Sequence, residues 1–195
     1  SEGVARAGAI NAVSQVLLKL TPAGWPDIYQ GNEIGDFSLV DPDNRRPVDY
    51  ARRHEMLDGL AGATPEVLLG NWRDGRIKLF LTHRLLTFRR ENPELFRSGS
   101  YLPLDVAGEF GDCCVAFARE REGQAIVVLA PRFNLRVGFP PIGEAWRDTA
   151  IHLPAGFSGG RDLFTGTPVE QGPALPLAQA MARLPFALFA VTPRD

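Results

Sequence analysis

Cysteine is nearly absent from this sequence, whose 195 residues contain only Cys113 and Cys114. Adjacent side chains in a strand point to opposite faces, so a disulfide between these two neighbours would be strained. Two adjacent cysteines also form neither a disulfide framework nor a zinc site. The chain has no Asn-x-Ser/Thr glycosylation site either. We therefore expect buried, reduced thiols and a cytoplasmic location.

An excess of one charge is also lacking, since 21 basic residues are balanced by 23 acidic ones and the net charge is -2. Nucleic acids and anionic membranes are bound by strongly basic surfaces, which this composition does not supply. No apolar run approaches the length of a membrane-spanning helix. We therefore predict no nucleic-acid partner and no membrane partner.

Metal-binding patterns are scarce as well. The stretch 41–44, Asp-Pro-Asp-Asn, begins like a calcium loop, but the Gly and the terminal Glu of such a loop are missing. The three histidines, His54, His83 and His152, are far apart in the sequence. We predict no metal and no cofactor.

The first half of the sequence is predicted to be mainly helical. In three stretches apolar residues recur every three or four positions, as on the buried face of an amphipathic helix. Asp74 has a suitable side chain to cap the third helix. A short strand, Asp27–Gln30, and a long loop at 31–49 are expected after the first helix. In the second helix Arg52 and Arg53 are expected to face outward. The predicted helices are Gly3–Leu20, Tyr50–Leu60 and Gly75–Arg90.

The second half has short apolar runs separated by Gly, Pro and Asp turns. Several short strands at this spacing are typical of a β-sandwich. We therefore predict two domains, 1–98 and 99–195, the second of them an antiparallel β-sandwich. The predicted strands are Tyr101–Leu104, Cys113–Ala118, Ala125–Ala130, Thr149–Leu153, Arg161–Phe164 and Phe186–Val191.

A polar segment between residues 26 and 49 combines an aromatic ring with carboxylate, amide and guanidinium groups. The ring of Tyr29 can stack on the apolar face of a sugar. Carboxylates accept hydrogen bonds from vicinal hydroxyls, and the planar fork of an arginine can hold a hydroxyl pair. A solvated loop held by Asp–Arg pairs explains the same composition, and residue types alone leave both readings open. The candidate sugar-binding residues are Tyr29, Gln30, Glu33, Asp41, Asp43, Asn44, Arg45 and Arg46.

Five segments, in their order along the chain, resemble the C-terminal quarter of the maltooligosyltrehalose synthases, a family of the α-amylase superfamily (glycoside hydrolase family 13). Tyr-Gln-Gly followed by Glu is a weak signal, because related strands occur across the superfamily. Asp-Pro-Asp-Asn-Arg-Arg-Pro-Val-Asp with Asp-Gly-Arg-x-Lys downstream is far more specific. The segments are Leu17–Pro22, Pro26–Gly31, Leu39–Asp49, Trp72–Lys78 and Phe117–Arg119.

The resemblance implies an α+β chain made of the last β/α segment of a (β/α)₈ TIM barrel, with Asp27–Gln30 as its eighth strand, followed by the β-sandwich. It implies an enzyme of trehalose biosynthesis that converts maltooligosaccharides to maltooligosyltrehaloses by intramolecular transglucosylation, from an α-1,4 to an α,α-1,1 linkage. It also adds Lys78 to the candidate substrate-binding residues, although an exposed helix lysine is the alternative.

Catalytic residues are not expected in this chain. Enzymes of this superfamily are retaining and use a carboxylate nucleophile with a carboxylic acid. In the family both lie on earlier barrel strands, so this chain alone is expected to be inactive. The N-terminal remainder of the barrel is therefore an expected partner, beside the α-1,4-glucan substrate.

Two other functions fit the same residues. One keeps the fold but changes the reaction to glucan hydrolysis or transglycosylation by another member of the superfamily. The other is a non-catalytic module that binds carbohydrate or stabilises a neighbouring domain.

Overall fold

The protein is an α+β fold in which helices come first and antiparallel strands follow. The three predicted helices are confirmed, and no described helix is long and apolar enough to cross a membrane. The computed structural model describes residues 1–38, 40–153, 157–169, 172 and 174–193, without the side chains at positions 44, 158, 192 and 193. Its helices are α1 (Glu2–Leu20), α2 (Tyr50–Asp58), α3 (Pro65–Gly70), α4 (Arg76–Glu91), α5 (Pro93–Ser98), α6 (Asn134–Val137) and α7 (Leu177–Ala180).

Helices α1 and α4 pack against each other and form the centre of the helical part. Their apolar stripes are buried, as the spacing predicts. Ile77, Leu81 and Leu85 of α4 belong to the same core as Leu17 and Leu20 of α1.

The start of α4 differs by one position from the prediction, because Gly75 and not Asp74 precedes the helix. Gly75 has φ +83°, and a Cβ atom there would lie 3.1 Å from Cβ of Ile34. Glycine adopts this left-handed conformation without steric cost. Asp74 still supports the helix start, because its Oδ1 accepts a hydrogen bond from the backbone N–H of Arg76 at 2.9 Å.

The predicted strand Asp27–Gln30 is wrong. Residues 25–29 have no regular structure, and Gln30 begins a turn in which the N–H of Asn32 donates to the carbonyl of Tyr29 at 3.1 Å. A strand needs a neighbour for its backbone hydrogen bonds. Both sheets of the described chain are built from residues after position 99, so this segment has no strand to pair with.

The strands form two sheets in which all pairings are antiparallel. In the second half of the chain strands were predicted in six places, and three further short strands, β2, β7 and β8, lie outside those predictions. Two or three residues are too few to show an alternating pattern. The strands are β1 (Ser100–Pro103), β2 (Val106–Ala107), β3 (Cys114–Arg121), β4 (Gln124–Pro131), β5 (Ala150–His152), β6 (Phe157–Asp162), β7 (Pro168–Val169), β8 (Ala174–Pro176) and β9 (Ala187–Pro193).

Strand β6 lies earlier than the predicted strand Arg161–Phe164. The carboxylate of Asp162 accepts hydrogen bonds from the backbone N–H of Thr165 at 2.9 Å and from its hydroxyl at 2.5 Å. This arrangement turns the chain directly after Asp162. Such local side-chain hydrogen bonds compete with a continuing ladder, which explains why the strand ends there.

The larger sheet has the strand order β1-β3-β4-β9-β6-β7 and the smaller one β2-β5-β8. Both faces of the larger sheet are buried at β4. Ile126 and Val128 of β4 join the core that contains the helices, whereas Val127 and Leu129 join a second core with the smaller sheet. Successive side chains alternate between faces, so the continuous apolar run of β4 follows from its position between two layers.

Cys113 and Cys114 are buried and free, as predicted. Cys113 ends a short 3₁₀ turn, so only Cys114 belongs to β3, which corrects the predicted start of that strand. Burial raises the pKa of the Cys114 thiol to about 12. This thiol is therefore protonated at neutral pH and is not a nucleophile.

One buried arginine joins the helical part to the larger sheet. The guanidinium of Arg119, on β3, donates to the carbonyl of Leu95 at 3.1 Å and to that of Gly99 at 2.7 Å. Leu95 lies in α5, and its carbonyl also accepts the backbone N–H of Gly99 at 3.1 Å, so the guanidinium is a second donor at this helix end. Only 2% of Arg119 is exposed, so these hydrogen bonds fix the exit of the chain from the helices.

Candidate functional site

The chain between α1 and α2 forms a polar cleft of about 420 Å³. Its wall consists of two parts of the loop that fold towards each other, together with one side chain of α2. The lining residues are Gln30, Gly31, Gly35, Asp36, Phe37, Ser38, Asp43, Arg46, Pro47, Val48, Asp49 and Arg53. The segment that the sequence analysis selected therefore does form a concave surface.

Helix α4 holds the chain where it leaves α1. The guanidinium of Arg89 donates to three carbonyls at alternate positions, those of Leu20 at 2.7 Å, Pro22 at 3.1 Å and Gly24 at 2.6 Å. Burial, and in second place the charge of Arg119, lowers the pKa of Arg89. Three carbonyls on one cation fix the direction in which the chain enters the cleft.

Arg53 organises the floor of the cleft, although its position in α2 suggested an outward side chain. Its guanidinium donates to the carbonyl of Gly31 at 2.8 Å, to that of Asp49 at 3.0 Å and to the carboxylate of Glu33 at 3.1 Å. The side chain is only 16% exposed. Arg53 therefore ties the start of the loop to its end, which are 18 residues apart.

Gly31 allows this close approach. Its φ is +88°, and a Cβ atom would lie 3.1 Å from Cγ2 of Val48 and 3.5 Å from a guanidinium nitrogen of Arg53. A larger residue would combine backbone strain with crowding of the clamp. The glycine of the Tyr-Gln-Gly sequence thus has a structural reason.

Two ion pairs stiffen the tip of the loop. Arg45 binds the carboxylate of Asp41 with two hydrogen bonds of 2.9 and 2.7 Å, and Arg46 binds that of Asp43 at 2.6 Å. All four side chains are at least one third exposed. Pairs of this kind add little stability, so their main effect is to orient the guanidinium groups.

Lys78 does not line the cleft. It reaches from α4 to the loop, where its ammonium donates to the carbonyl of Ile34 at 3.0 Å. Burial, and in second place the charge of Lys19, lowers the pKa of Lys78. Lys78 is thus neither a free surface lysine nor a residue of the cleft wall. It fixes the backbone beside the cleft.

The candidate residues are brought only partly together. Gln30, Asp43 and Arg46 line the cleft. Glu33 lies beneath it on Arg53. Tyr29, Asp41 and Arg45 flank the cleft, Lys78 lies behind it, and the side chain of Asn44 is outside the described residues.

Sequence reasoning missed several wall residues, among them Asp36, Phe37 and Ser38. Ser38 donates to Asp36 through its hydroxyl at 2.7 Å and its backbone N–H at 2.9 Å, and these hydrogen bonds lower the pKa of the Asp36 carboxyl. The Phe37 ring is 96% exposed. Asp-x-Ser is a recognisable turn signal that could have drawn attention to this segment.

The cleft offers both hydrogen-bond donors and hydrogen-bond acceptors. Its carboxylates accept hydrogen bonds, its two arginines donate them, and Gln30 does both. Exposed aromatic rings, Phe37 in the wall and Tyr29 beside it, offer apolar faces. Among the described residues no three His, Cys, Asp or Glu side chains come together as metal ligands would.

Comparison with solved structures first defines the class of the fold. An Anoxybacillus α-amylase has the same fold with a TM-score of 0.59 over 95% of this chain and 33% of that chain, at 16% sequence identity. The chain therefore has the fold of the matching third of an α-amylase. No family model matches the sequence.

Sequence similarity then narrows the class. A putative maltooligosyl trehalose synthase of Mycobacterium tuberculosis H37Rv is 38% identical over 179 residues, which are 91% of this chain and 20% of that protein. The maltooligosyltrehalose synthase of Arthrobacter ramosus has a TM-score of 0.76 at 35% identity, over 95% of this chain and 22% of its own. The chain is therefore similar over nearly its whole length to the maltooligosyltrehalose synthases, and it spans about one fifth of their length, in their C-terminal part.

Proposed function

We propose that this chain is the C-terminal part of an enzyme that converts maltooligosaccharides to maltooligosyltrehaloses by intramolecular transglucosylation. The observation that carries the proposal is the 38% identity that extends over 91% of the chain to a maltooligosyl trehalose synthase. The cleft supports it, because its walls come from the same segment that carries the most specific part of the resemblance. An α-1,4-glucan is the proposed substrate.

The proposed architecture divides the chain at residue 98. Residues 1–98 form the last segment of a (β/α)₈ barrel, and residues 99–195 form the C-terminal β-sandwich domain. In the parent protein residues 27–30 would gain the neighbouring strand that they lack here. The chain alone is inactive in this proposal, because the nucleophile and the general acid are supplied by the preceding part of the barrel.

The proposed role of the cleft follows from the reaction. A retaining enzyme forms a covalent glycosyl intermediate, which then reacts with an acceptor. In this reaction the acceptor is the released reducing-end glucose, so the glucose must be held while water is kept away. Carboxylates and arginine forks hold a sugar by its vicinal hydroxyls, and Asp43 and Arg46 offer both in the cleft wall.

A product-ratio assay on the full-length enzyme tests this role. Arg46→Ala and Arg45→Ala are expected to raise the ratio of free glucose to trehalose-type product from maltopentaose severalfold, because a loosely held glucose lets water compete. Arg97→Ala is the matched control. Its guanidinium makes the same kind of pair with Glu94, three residues away and also 2.6 Å long, on α5.

The result separates the candidate functions. An unchanged ratio in both loop variants would show that the loop arginines do not hold the acceptor. It would not contradict the proposed activity of the enzyme. A wild-type enzyme that yields only shorter glucans would favour a hydrolase of the same superfamily. A wild-type protein that binds maltopentaose without changing it would favour a non-catalytic module.

A further inference from the structure

A second concave surface shares no lining residue with the cleft. A groove of about 710 Å³ runs between α1 and residues 131–136, the end of β4 and the start of α6, and its lining is mainly apolar. Asn11, Ser14 and Leu18 of α1 form one wall. These positions are spaced by three and four residues and therefore lie on one face of the helix.

The wall of this groove contains a buried polar group without a partner. Ser14 is only 4% exposed, and its hydroxyl has no hydrogen bond to any described residue. Buried hydroxyls are normally paired. Ser14 is a lining residue of the groove, so a group that enters beside it can approach the hydroxyl and supply the missing hydrogen bond.

The opposite wall holds apolar side chains out of the core. Phe133 is 54% exposed and Leu135 is 71% exposed. Phe133 has φ +49°, a left-handed conformation that is unfavourable for a bulky residue. The segment is nevertheless fixed, because the buried Asn134 donates to the side-chain oxygen of Asn11 at 2.8 Å.

The chemistry of the groove indicates a protein segment as its occupant. Two large apolar side chains over a mainly apolar floor form a patch of the kind that marks protein contacts. The relatives are about five times as long as this chain, which covers 20% of one and 22% of another, so most of the polypeptide that could cover the patch lies outside it. Arg132 beside the patch has no carboxylate partner among the described residues and can pair with an acidic residue of the occupant.

We propose that this groove is a docking site for the preceding polypeptide of the same protein, which inserts apolar side chains between α1 and residues 131–136 and pairs with the Ser14 hydroxyl. The inference rests on the proposed function in one respect, namely that a longer parent protein exists. The inference adds a location to the proposed function. The preceding polypeptide covers the groove between α1 and residues 131–136 and leaves the cleft at 30–53 open.

Thiol labelling of the intact parent protein tests the proposal. Leu135→Cys and Leu102→Cys are made separately and treated with N-ethylmaleimide, and the rate at each position is read by peptide mass spectrometry. Leu102 is the control, since it is 42% exposed and lies on β1, away from the groove. Leu135 is more exposed than Leu102 in this structure, so an uncovered groove predicts faster labelling at position 135. A covered groove predicts slower labelling at 135 than at 102.

The expected result is labelling at least tenfold slower at 135 than at 102 in the native protein, with equal rates in urea. Equal or faster labelling at 135 would overturn the proposal. Protection that occurs only after maltoheptaose is added would overturn it in favour of a glucan-binding groove. Slow hydrogen exchange at residues 132–136 of the unsubstituted protein is expected as well. This measurement does not depend on whether either variant folds.

The proposed function is read separately in the same preparation by formation of the trehalose-type product. An inactive but folded protein with a protected position 135 would refute the function and keep the docking site. An active protein with a reactive position 135 would refute the docking site alone.

Discussion

The loop at 21–49 and strand β4 are held in place in different ways. Nearly every residue of β4 is buried, and its backbone is paired on both sides, with β3 and with β9. The loop has almost no regular structure and many exposed side chains, Trp25 at 99% and Phe37 at 96% among them. Its backbone is held by side chains that reach in from helices, chiefly Arg53, Lys78 and Arg89.

This difference separates what stabilises the protein from what it offers to a ligand. A buried strand gains free energy from the removal of apolar surface, at roughly 25 cal/mol per Å². A polar loop anchored at a few points gains little, but it keeps its carboxylates and guanidinium groups free to exchange partners. We therefore expect large effects on stability from the strand, intermediate effects from the loop anchors and small effects from exposed pairs.

The largest effect is expected in β4. Ile126→Ala removes a side chain that is fully buried in the core shared with the helices, and we expect the free energy of unfolding to fall by about 2–5 kcal/mol. Val40→Ala in the loop, where the side chain is 62% exposed, is the comparison and should change it by less than about 0.5 kcal/mol. Urea denaturation measures both, and similar losses would contradict the contrast.

An anchor of the loop comes next. Arg53→Met keeps the length of the side chain but leaves the carbonyls of Gly31 and Asp49 without their donor, which we expect to cost about 1–3 kcal/mol. Hydrogen exchange should also become faster at residues 31–36 while exchange in β4 is unchanged. Arg52→Met is the control, because the Arg52 side chain is exposed. Unchanged exchange in the loop would mean that Arg53 does not hold it.

Gly31→Ala tests the anchoring of the loop through its backbone conformation. The φ of +88° and the 3.1 Å contact with Val48 predict a loss of about 1–2 kcal/mol. Gly8→Ala in α1 is the matched control, because a Cβ atom there has nothing within 4 Å and alanine favours the helix by about 0.5–1 kcal/mol. The two substitutions should therefore have opposite signs in thermal unfolding, and equal signs would contradict this reading of Gly31.

The sequence predicts the buried elements better than the exposed site. Spacing of apolar residues located α1, α4 and the long strands, because burial imposes a period on the residues that experience it. The strand predicted at Asp27–Gln30 is wrong, because composition alone does not show whether a segment has a neighbouring strand to pair with. The spacing rule also missed β2 and β8, which are strands only because β5 lies between them.

Composition and resemblance located the candidate site without its geometry. They identified Gln30, Asp43 and Arg46, which do line the cleft. They assigned Arg53 to an outward face, because helical periodicity does not register hydrogen bonds to a loop 22 residues earlier. Lys78 was selected as a ligand contact, and its place behind the loop depends on how α4 packs, which is a tertiary property.

The smallest effect is expected where an exposed pair connects the helical part to the sheet part. Arg183 binds both carboxylate oxygens of Glu66 on α3, at 2.6 and 3.1 Å, and this lowers the pKa of Glu66 from 4.5 to about 2.

A carboxyl whose pKa is lowered by folding stabilises the protein above its unfolded pKa and loses that contribution as the pH falls through its folded pKa. Because Glu66 is 57% exposed, screening limits the contribution to no more than about 1 kcal/mol. Glu66→Gln should therefore lower the free energy of unfolding slightly at pH 7, and the difference from the unsubstituted protein should shrink as the pH falls below 4.5 and be lost as it falls through about 2. Glu94→Gln, whose partner Arg97 lies on the same helix, is the control for a pair that connects no separate parts. A difference that is as large at pH 2 as at pH 7 would show that Glu66 acts through something other than its charge.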